Sequence, residues 1–227
     1  MQLPPYLSIS GGVLSDAAPA LSPGEQASIG PMAPARLAEF SQGRMHARIA
    51  LARLGLADAS IPVAADRAPV WPQGFVGSIS HAPFDPSRNQ CGQVMAVVAR
   101  SCDCACLGVD VERTDKLRPE DWGTFLTACE MESLASRPIA QRSAVAHAIW
   151  SAKEATMKAS RQVLDPQDID IRLGDEVHIF VAEFGLPGID RLRLSGQIAH
   201  ADGWVATLVM SPRPPSHSSN DLVSGDT

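Results

Sequence analysis

Two short stretches hold most of the residues that could do chemistry. In "LGVDVER", the apolar Leu107, Val109 and Val111 alternate with Gly108, Asp110 and Glu112. A period of two is a strand signal and puts both carboxylates on the face opposite the apolar side chains, roughly 7 Å apart by the strand rise. Two acids at that spacing repel, and a divalent cation removes the penalty; oxygen ligands suit Mg²⁺. The plain alternative is a half-exposed strand with its charges in water. In "WSAKEATMKAS", Ser151, Glu154 and Lys158, with Arg161 just beyond, fall at i, i+3, i+7 and i+10, one stripe of a helix. Lys153 lies about 100° round from Glu154. Taken alone, Glu154 and Lys158 read as a solvent-side pair worth about 0.3 kcal/mol. Yet the chain has only three lysines against sixteen arginines, and two of the three are here. Joined to the strand, Asp110, Glu112 and Glu154 make a three-carboxylate Mg²⁺ set. Lys153 and Lys158 beside it supply positive charge for phosphate oxygens, as a site handling a pyrophosphate ester would need.

Other positive groups could extend such a site. From Pro34, "PARLAEFSQGRMHARIALARLG" has Leu37, Phe40, Ala47, Leu51 and Leu54 at helical spacing and Gly55 as a stop. Arg44 and Arg48 are one turn apart on it, and Arg36 lies two turns earlier, within reach of a shared patch. A solvated polar face is the alternative. "GSISH" ends an apolar strand with Ser80 and His81, where a histidine caps the strand end or binds an anion.

The elements that must position these residues follow from periodicity and turn residues. "FVGSIS", "QVMAVVAR" and "LGVDVER" read as strands, the last reached through a connection, "SCDCAC". "PEDWGTFLTACEMESLAS" and "AQRSAVAHAIWSAKEATMKAS" read as helical, with Val145, Ala148, Ile149, Ala152, Thr156 and Ala159 facing the core. Beyond Pro166, "DIDIRL", "EVHIFVAEF", "RLRLSGQIAH" and "GWVATLVM" read as strands, with Asp202-Gly203 at a hairpin turn. The first 34 residues read as irregular with one strand, and the tail from Pro212 as disordered. A helix followed by antiparallel strands recurs in each half. The expectation is an α+β protein of two similar lobes, residues 1–105 and 106–211, with a ligand cleft between them and a tail over 212–227.

Composition narrows the field. Among 227 residues 45% are hydrophobic and 19% charged, values of a globular chain, and the net charge of −6 argues against nucleic-acid binding. No apolar run is long enough to span a membrane and the N-terminus lacks a signal-peptide pattern. Five cysteines, an odd number, suit a reducing cytoplasm better than a disulfide scaffold, and "CDCAC" has no second pair to make a zinc site. No Walker-type glycine loop is present.

"GVDVER" followed some forty residues later by "WSAKEATMKA" resembles the signature pair of 4′-phosphopantetheinyl transferases of the larger, monomeric type, which activate siderophore, polyketide and peptide synthetases. "EFSQGRMHARIALARLG" and "RAPVWPQGFVGSISH" are similar to the enterobactin-type branch of that family. The resemblance implies two α/β lobes in pseudo-twofold relation with coenzyme A between them. It implies that Asp110, Glu112 and Glu154 bind Mg²⁺ and that Lys153 and Lys158 lie near the pyrophosphate. Arg36, Arg44 and His81, with Arg48, Ser80 and Arg67 as further candidates, would hold the phosphates of the ADP portion. Relatives often carry a lysine before the "P-x-WP" segment, where this chain offers Arg67. The implied reaction moves 4′-phosphopantetheine from coenzyme A to a serine of an apo acyl or peptidyl carrier protein and releases 3′,5′-ADP, with Glu154 as general base and Glu112 or a metal-bound water in reserve. Lys158 and Asp110 would complete the catalytic set. Carrier proteins are acidic like this chain, so recognition must be local, for instance near "FLTACEMESL". The rival readings are another Mg²⁺-dependent enzyme acting on phosphorylated nucleotides and a non-catalytic module binding coenzyme A or a partner protein.

Overall fold

The structure is a computed structural model that describes residues 4–83, 91–174, 178–186 and 188–213. Its elements run β1 (Ser8–Val13), α1 (Pro23–Ala27), α2 (Pro34–Arg53), β2 (Phe75–Ala82), β3 (Gln93–Arg100), β4 (Cys104–Arg113), α3 (Ala128–Ala135), α4 (Ile139–Ser160), β5 (Ile169–Leu173), β6 (Ile179–Leu186), β7 (Ile189–Ala201) and β8 (Trp204–Pro212). Two short 3₁₀ helices, Pro119–Thr124 and Pro166–Asp168, sit between them.

The strands form two antiparallel sheets, one of order β1-β3-β2 and one of order β4-β8-β7-β6-β5. Each has a long helix on one face, which makes the chain α+β with two sheet-and-helix halves. On the first, Ala47, Ala50 and Leu51 of α2 pack on Ala96 and Val98 of β3, with Ile61 alongside. On the second, Val145, Ala148, Ile149, Ala152 and Ala159 of α4 pack on Phe180, Ala182, Ile198, Val205 and Val209. A third apolar layer lies between the sheets: Val97 and Ala99 of β3 meet Leu107 and Val109 of β4 and Leu208 of β8. The apolar face of "LGVDVER" is therefore spent on the other half of the molecule.

The predicted helices and strands fall where periodicity put them, and β7 and β8 are joined by a two-residue turn. Asp202 (φ 48°) and Gly203 (φ 80°) are both left-handed, as a type I′ hairpin requires. Four details differ. "PEDWGTFLTACEMESLAS" is not one helical run: the 3₁₀ helix ends at Thr124 and Thr127 caps a new start for α3. Ser22 and Glu25 form a capping box that starts α1 within the stretch expected to be irregular. "SCDCAC" is only partly a connection: β4 begins at Cys104, and the pairing with β8 shifts register between Cys104 and Cys106. β8 runs on to Pro212, so the expected tail starts later, and its residues 214–227 lie outside the described residues. Among the described residues no helix is long and apolar enough to cross a membrane.

Candidate active site at the junction of the two sheets

β4 is an edge strand of its sheet, and its open edge is closed by side chains. The hydroxyls of Ser78 and Ser80 on β2 accept the backbone N–H groups of Val109 and Val111 at 3.0 and 3.3 Å. Two serines at period two thus replace a strand in the ladder and fix β2 along β4. Ser80 also donates to Asp110 Oδ1 at 2.9 Å and accepts from Lys158 Nζ at 3.0 Å. One donated and two accepted bonds use the whole capacity of a hydroxyl.

Helix α4 reaches Asp110 because residue 108 is glycine. A Cβ on Gly108 would stand 1.8 Å from the carbonyl oxygen of Ala155 and 2.8 Å from the amide of Ala159. The helix lies directly on the strand backbone there. That contact brings Lys158 Nζ to 2.7 Å from Asp110 Oδ1, while Glu154 stays 3.9 Å from the same ammonium. Asp110 is 2% exposed, and its Oδ2 is enclosed without a hydrogen-bond partner among the described residues. Glu154 has its carboxyl pushed up, first by burial and then by Asp110 and Glu112, with Lys158 and Lys116 opposing. Glu112 lies one strand period further on and is paired with Lys116 at 3.1 Å.

On the other side of Ser80, Arg36 of α2 contacts His81 Nε2 and pairs with Glu39 at 2.9 Å. Glu39 also lies 3.2 Å from His81. Burial lowers the His81 pKa, with the Arg36 and Lys158 charges adding to the fall and Glu39 opposing it. Ser80, which touches Asp110 and Lys158, and His81, which touches Arg36, are consecutive on β2, so the basic end of α2 adjoins the acid pair. Arg44, 5% exposed, lies over the Phe40 ring at 4.4 Å and leaves its Nε without a partner among the described residues. Burial, with Arg48 and Arg36 adding to it and Glu25 opposing, pushes its pKa down to about 10.

Over residues 24–83 the chain matches the 4′-phosphopantetheinyl transferase N-terminal domain, and over residues 106–209 the 4′-phosphopantetheinyl transferase superfamily. It belongs to the 4′-phosphopantetheinyl transferase superfamily. The transferase is 32% identical to the 4′-phosphopantetheinyl transferase Svp of Streptomyces mobaraensis, over 86% of this chain and 80% of that one. A solved structure, the holo-[acyl-carrier-protein] synthase of Thermotoga maritima, is 14% identical with a TM-score of 0.36, covering 47% of this chain and 62% of that chain. A likeness that low carries no weight here, and the architecture above rests on the transferase's own strands and helices.

The structure brings Ser80, Asp110, Glu154 and Lys158 together, with Glu112 one strand period beyond and His81 and Arg36 adjoining. Three expected members are elsewhere. Lys153 is 0% exposed on the core side of α4, where its ammonium pairs with Glu130 at 2.7 Å and donates to the carbonyls of Phe125 and Pro166. Burial lowers its pKa and Glu130 opposes the fall. The expectation that it faces a pyrophosphate is corrected: the 100° between it and Glu154 turns it into the interior, where it braces α3 and the approach to β5. Arg48 is engaged by Glu25 and the carbonyl of Ala20, bracing the segment before α2. Arg67 is exposed in a tight turn at φ 67°, and it is its neighbour Asp66 that reaches α4, through Arg161 at 3.3 Å. Glu39 and Lys116 escaped the sequence reading, although each is three or four residues from a recognised partner, Arg36 and Glu112.

The fit to a divalent cation is partial in a definite way. Hard oxygens converge, one carboxylate oxygen is buried without a partner, and Glu154 feels the charges of Asp110 and Glu112. Among the described residues no three acidic, histidine or cysteine side chains form a ready-made cage. Lys158 and Lys116 hold all three acids in ion pairs, Glu154 at the longest distance, 3.9 Å. The donors suit a cation once those ammoniums yield.

Proposed function

We propose that the chain transfers 4′-phosphopantetheine from coenzyme A to a serine of an apo carrier protein, as an enzyme of the larger, monomeric, enterobactin-type branch working in the cytoplasm. The observation that carries the reading is the contact of Ser80, Asp110 and Lys158, contributed by three elements from both halves, beside a carboxylate of raised pKa. The family supplies the reaction class, and the residues supply the means. Asp110 and Glu154, with Glu112 adjoining, would hold Mg²⁺, which when bound supplies neutralisation of charge developing on the phosphate oxygens.

In the transfer, the carrier serine oxygen bonds to the β-phosphorus of coenzyme A and the bridging oxygen leaves with 3′,5′-ADP. Glu154 takes the serine proton. General-base assistance at this point is typically worth about 10²–10⁴-fold. Lys158, on a flexible stem and 30% exposed, is free to meet the pyrophosphate from the protein side. Arg36 and Arg44 form the positive rim for the remaining phosphates of coenzyme A, with the neutral His81 ring as a hydrogen-bonding neighbour. For Arg44 this explains why a guanidinium is kept buried with an idle Nε. Met131 on α3 is an exposed apolar side chain in the region expected to meet the carrier.

The test is a mass measurement with the protein, Mg²⁺, coenzyme A and a panel of apo carrier proteins. The expected result is a phosphopantetheine adduct on at least one carrier, dependent on Mg²⁺ and lost in Asp110→Ala. Release of phosphate from nucleotides without a carrier adduct would favour the hydrolase reading, and coenzyme A binding without any turnover the binding module.

A further inference from the structure

We infer that the Lys158 ammonium is the resting occupant of the cation seat, so that it and a divalent cation compete for Asp110. The inference rests on the reading of Asp110 and Glu154 as cation-bearing acids. Lys158 Nζ is 2.7 Å from Asp110 Oδ1 and 3.0 Å from Ser80 Oγ, and it faces Glu154 at 3.9 Å. It stands among the donors a metal would use. All three lysines of the chain are paired with acids, and two of them, Lys158 and Lys116, are on this carboxylate set.

A purely structural ion pair would satisfy both oxygens of a carboxylate that is 2% exposed. Here, among the described residues, Oδ1 takes two donors and Oδ2 takes none. The seat is built for a second, stronger positive charge. Mg²⁺ binds carboxylate oxygen at about 2.0–2.1 Å, so a cation shared by Asp110 and Glu154 would crowd the ammonium that now faces both acids, and the two like charges repel. One must leave, and Lys158 is the group with somewhere to go. Its side chain is 30% exposed, and Ser80, which it contacts at 3.0 Å, is followed on β2 by His81. Cation loading would then move the lysine from the acids toward the pyrophosphate.

The test is divalent binding without coenzyme A, using Mn²⁺ and the loss of its free paramagnetic resonance signal. Lys158→Met should bind Mn²⁺ at least about tenfold more tightly than wild type, while losing transfer, since a charge-assisted hydrogen bond no longer competes. Lys158→Arg keeps the charge and should bind no more tightly than wild type. Asp110→Asn in the Lys158→Met background should abolish the gain. Equal or weaker binding by Lys158→Met, or a gain that survives Asp110→Asn, overturns the inference.

A second readout needs no substitution. Saturating Mg²⁺ should raise acylation of Lys158 in the wild-type protein several-fold, read by peptide mass mapping, and unchanged labelling also overturns it. Carrier labelling by wild type is measured in parallel. Transfer without tighter Mn²⁺ binding by Lys158→Met removes the competition and leaves the functional reading standing. No transfer and no binding by any variant removes both.

Discussion

Gly108→Ala tests whether the site depends on direct contact between helix and strand. The added Cβ would lie 1.8 Å from the Ala155 carbonyl oxygen, and ordinary contact begins near 3.4 Å, so something must move by about 1.6 Å. The obstacle is helix backbone, which cannot rotate aside, and β4 is held on its other face by β3 and along its edge by Ser78 and Ser80. Helix α4 must therefore retreat, opening the apolar contacts of Ala152, Ala155 and Ala159. Overpacking of this kind costs about 3 kcal/mol. For a chain of this length that is a fall of roughly 6–12 °C in Tm. The same retreat carries Lys158 and Glu154 away from Asp110, and a displacement of about 1 Å in a reacting constellation costs about 10²-fold in rate. Calorimetry and carrier labelling should thus fall together. A variant with wild-type Tm and labelling within about threefold of wild type would show that neither the packing nor the alignment depends on that contact.

Lys153→Met should cost about 3–5 kcal/mol by leaving Glu130 charged and buried, yet the fraction that folds should keep the wild-type KM for coenzyme A, as chemical unfolding and kinetics would show. Glu154→Gln should abolish carrier labelling by mass and leave the fold intact. The Glu154 pKa is raised in the folded protein, so its ionisation opposes folding as pH rises above the ordinary value of 4.5. The Gln variant should therefore match or exceed the wild-type Tm at pH 8, with the difference vanishing below pH 4.5. His81 has a lowered folded pKa, so the unfolded chain binds the proton more readily and wild type should lose stability as pH falls through 6.5. A Tm-against-pH series on His81→Gln should show a shallower slope over that window.

Much of the site was legible because it obeys simple periods. Period two placed Asp110 and Glu112 on one face of β4, and the i, i+4 rule placed Glu154 beside Lys158. What spacing could not say is which side of an element would be buried, or by what. Lys153 looked equivalent to Lys158 because both are lysines on one helix. Its fate was decided by Glu130, twenty-three residues away on α3, whose other oxygen accepts the N–H of Ile171 on the edge strand β5. Only tertiary structure supplies that partner. Arg48 was hidden in the same way by Glu25, a carboxylate in a stretch whose composition read as largely irregular. The apolar face of β4 was legible as apolar, but nothing local showed that it would meet the other sheet rather than a helix.

The serines of β2 explain why function needs both halves. An edge strand with free N–H groups is a liability, and the usual remedies are charge, proline or a covering strand. Here the cover is made of hydroxyls, and a hydroxyl has bonding capacity left over. Among the described residues Ser78 does nothing more than hold Val109. Ser80 has the same task at Val111, but it stands where Lys158 and Asp110 meet, and its remaining bonds align both. The device that seals the sheet edge is thus also the one that orients the acid and the ammonium. Neither half can build the site by itself, and any loosening of the contact between β2 and β4 must reach the chemistry before it reaches either hydrophobic core.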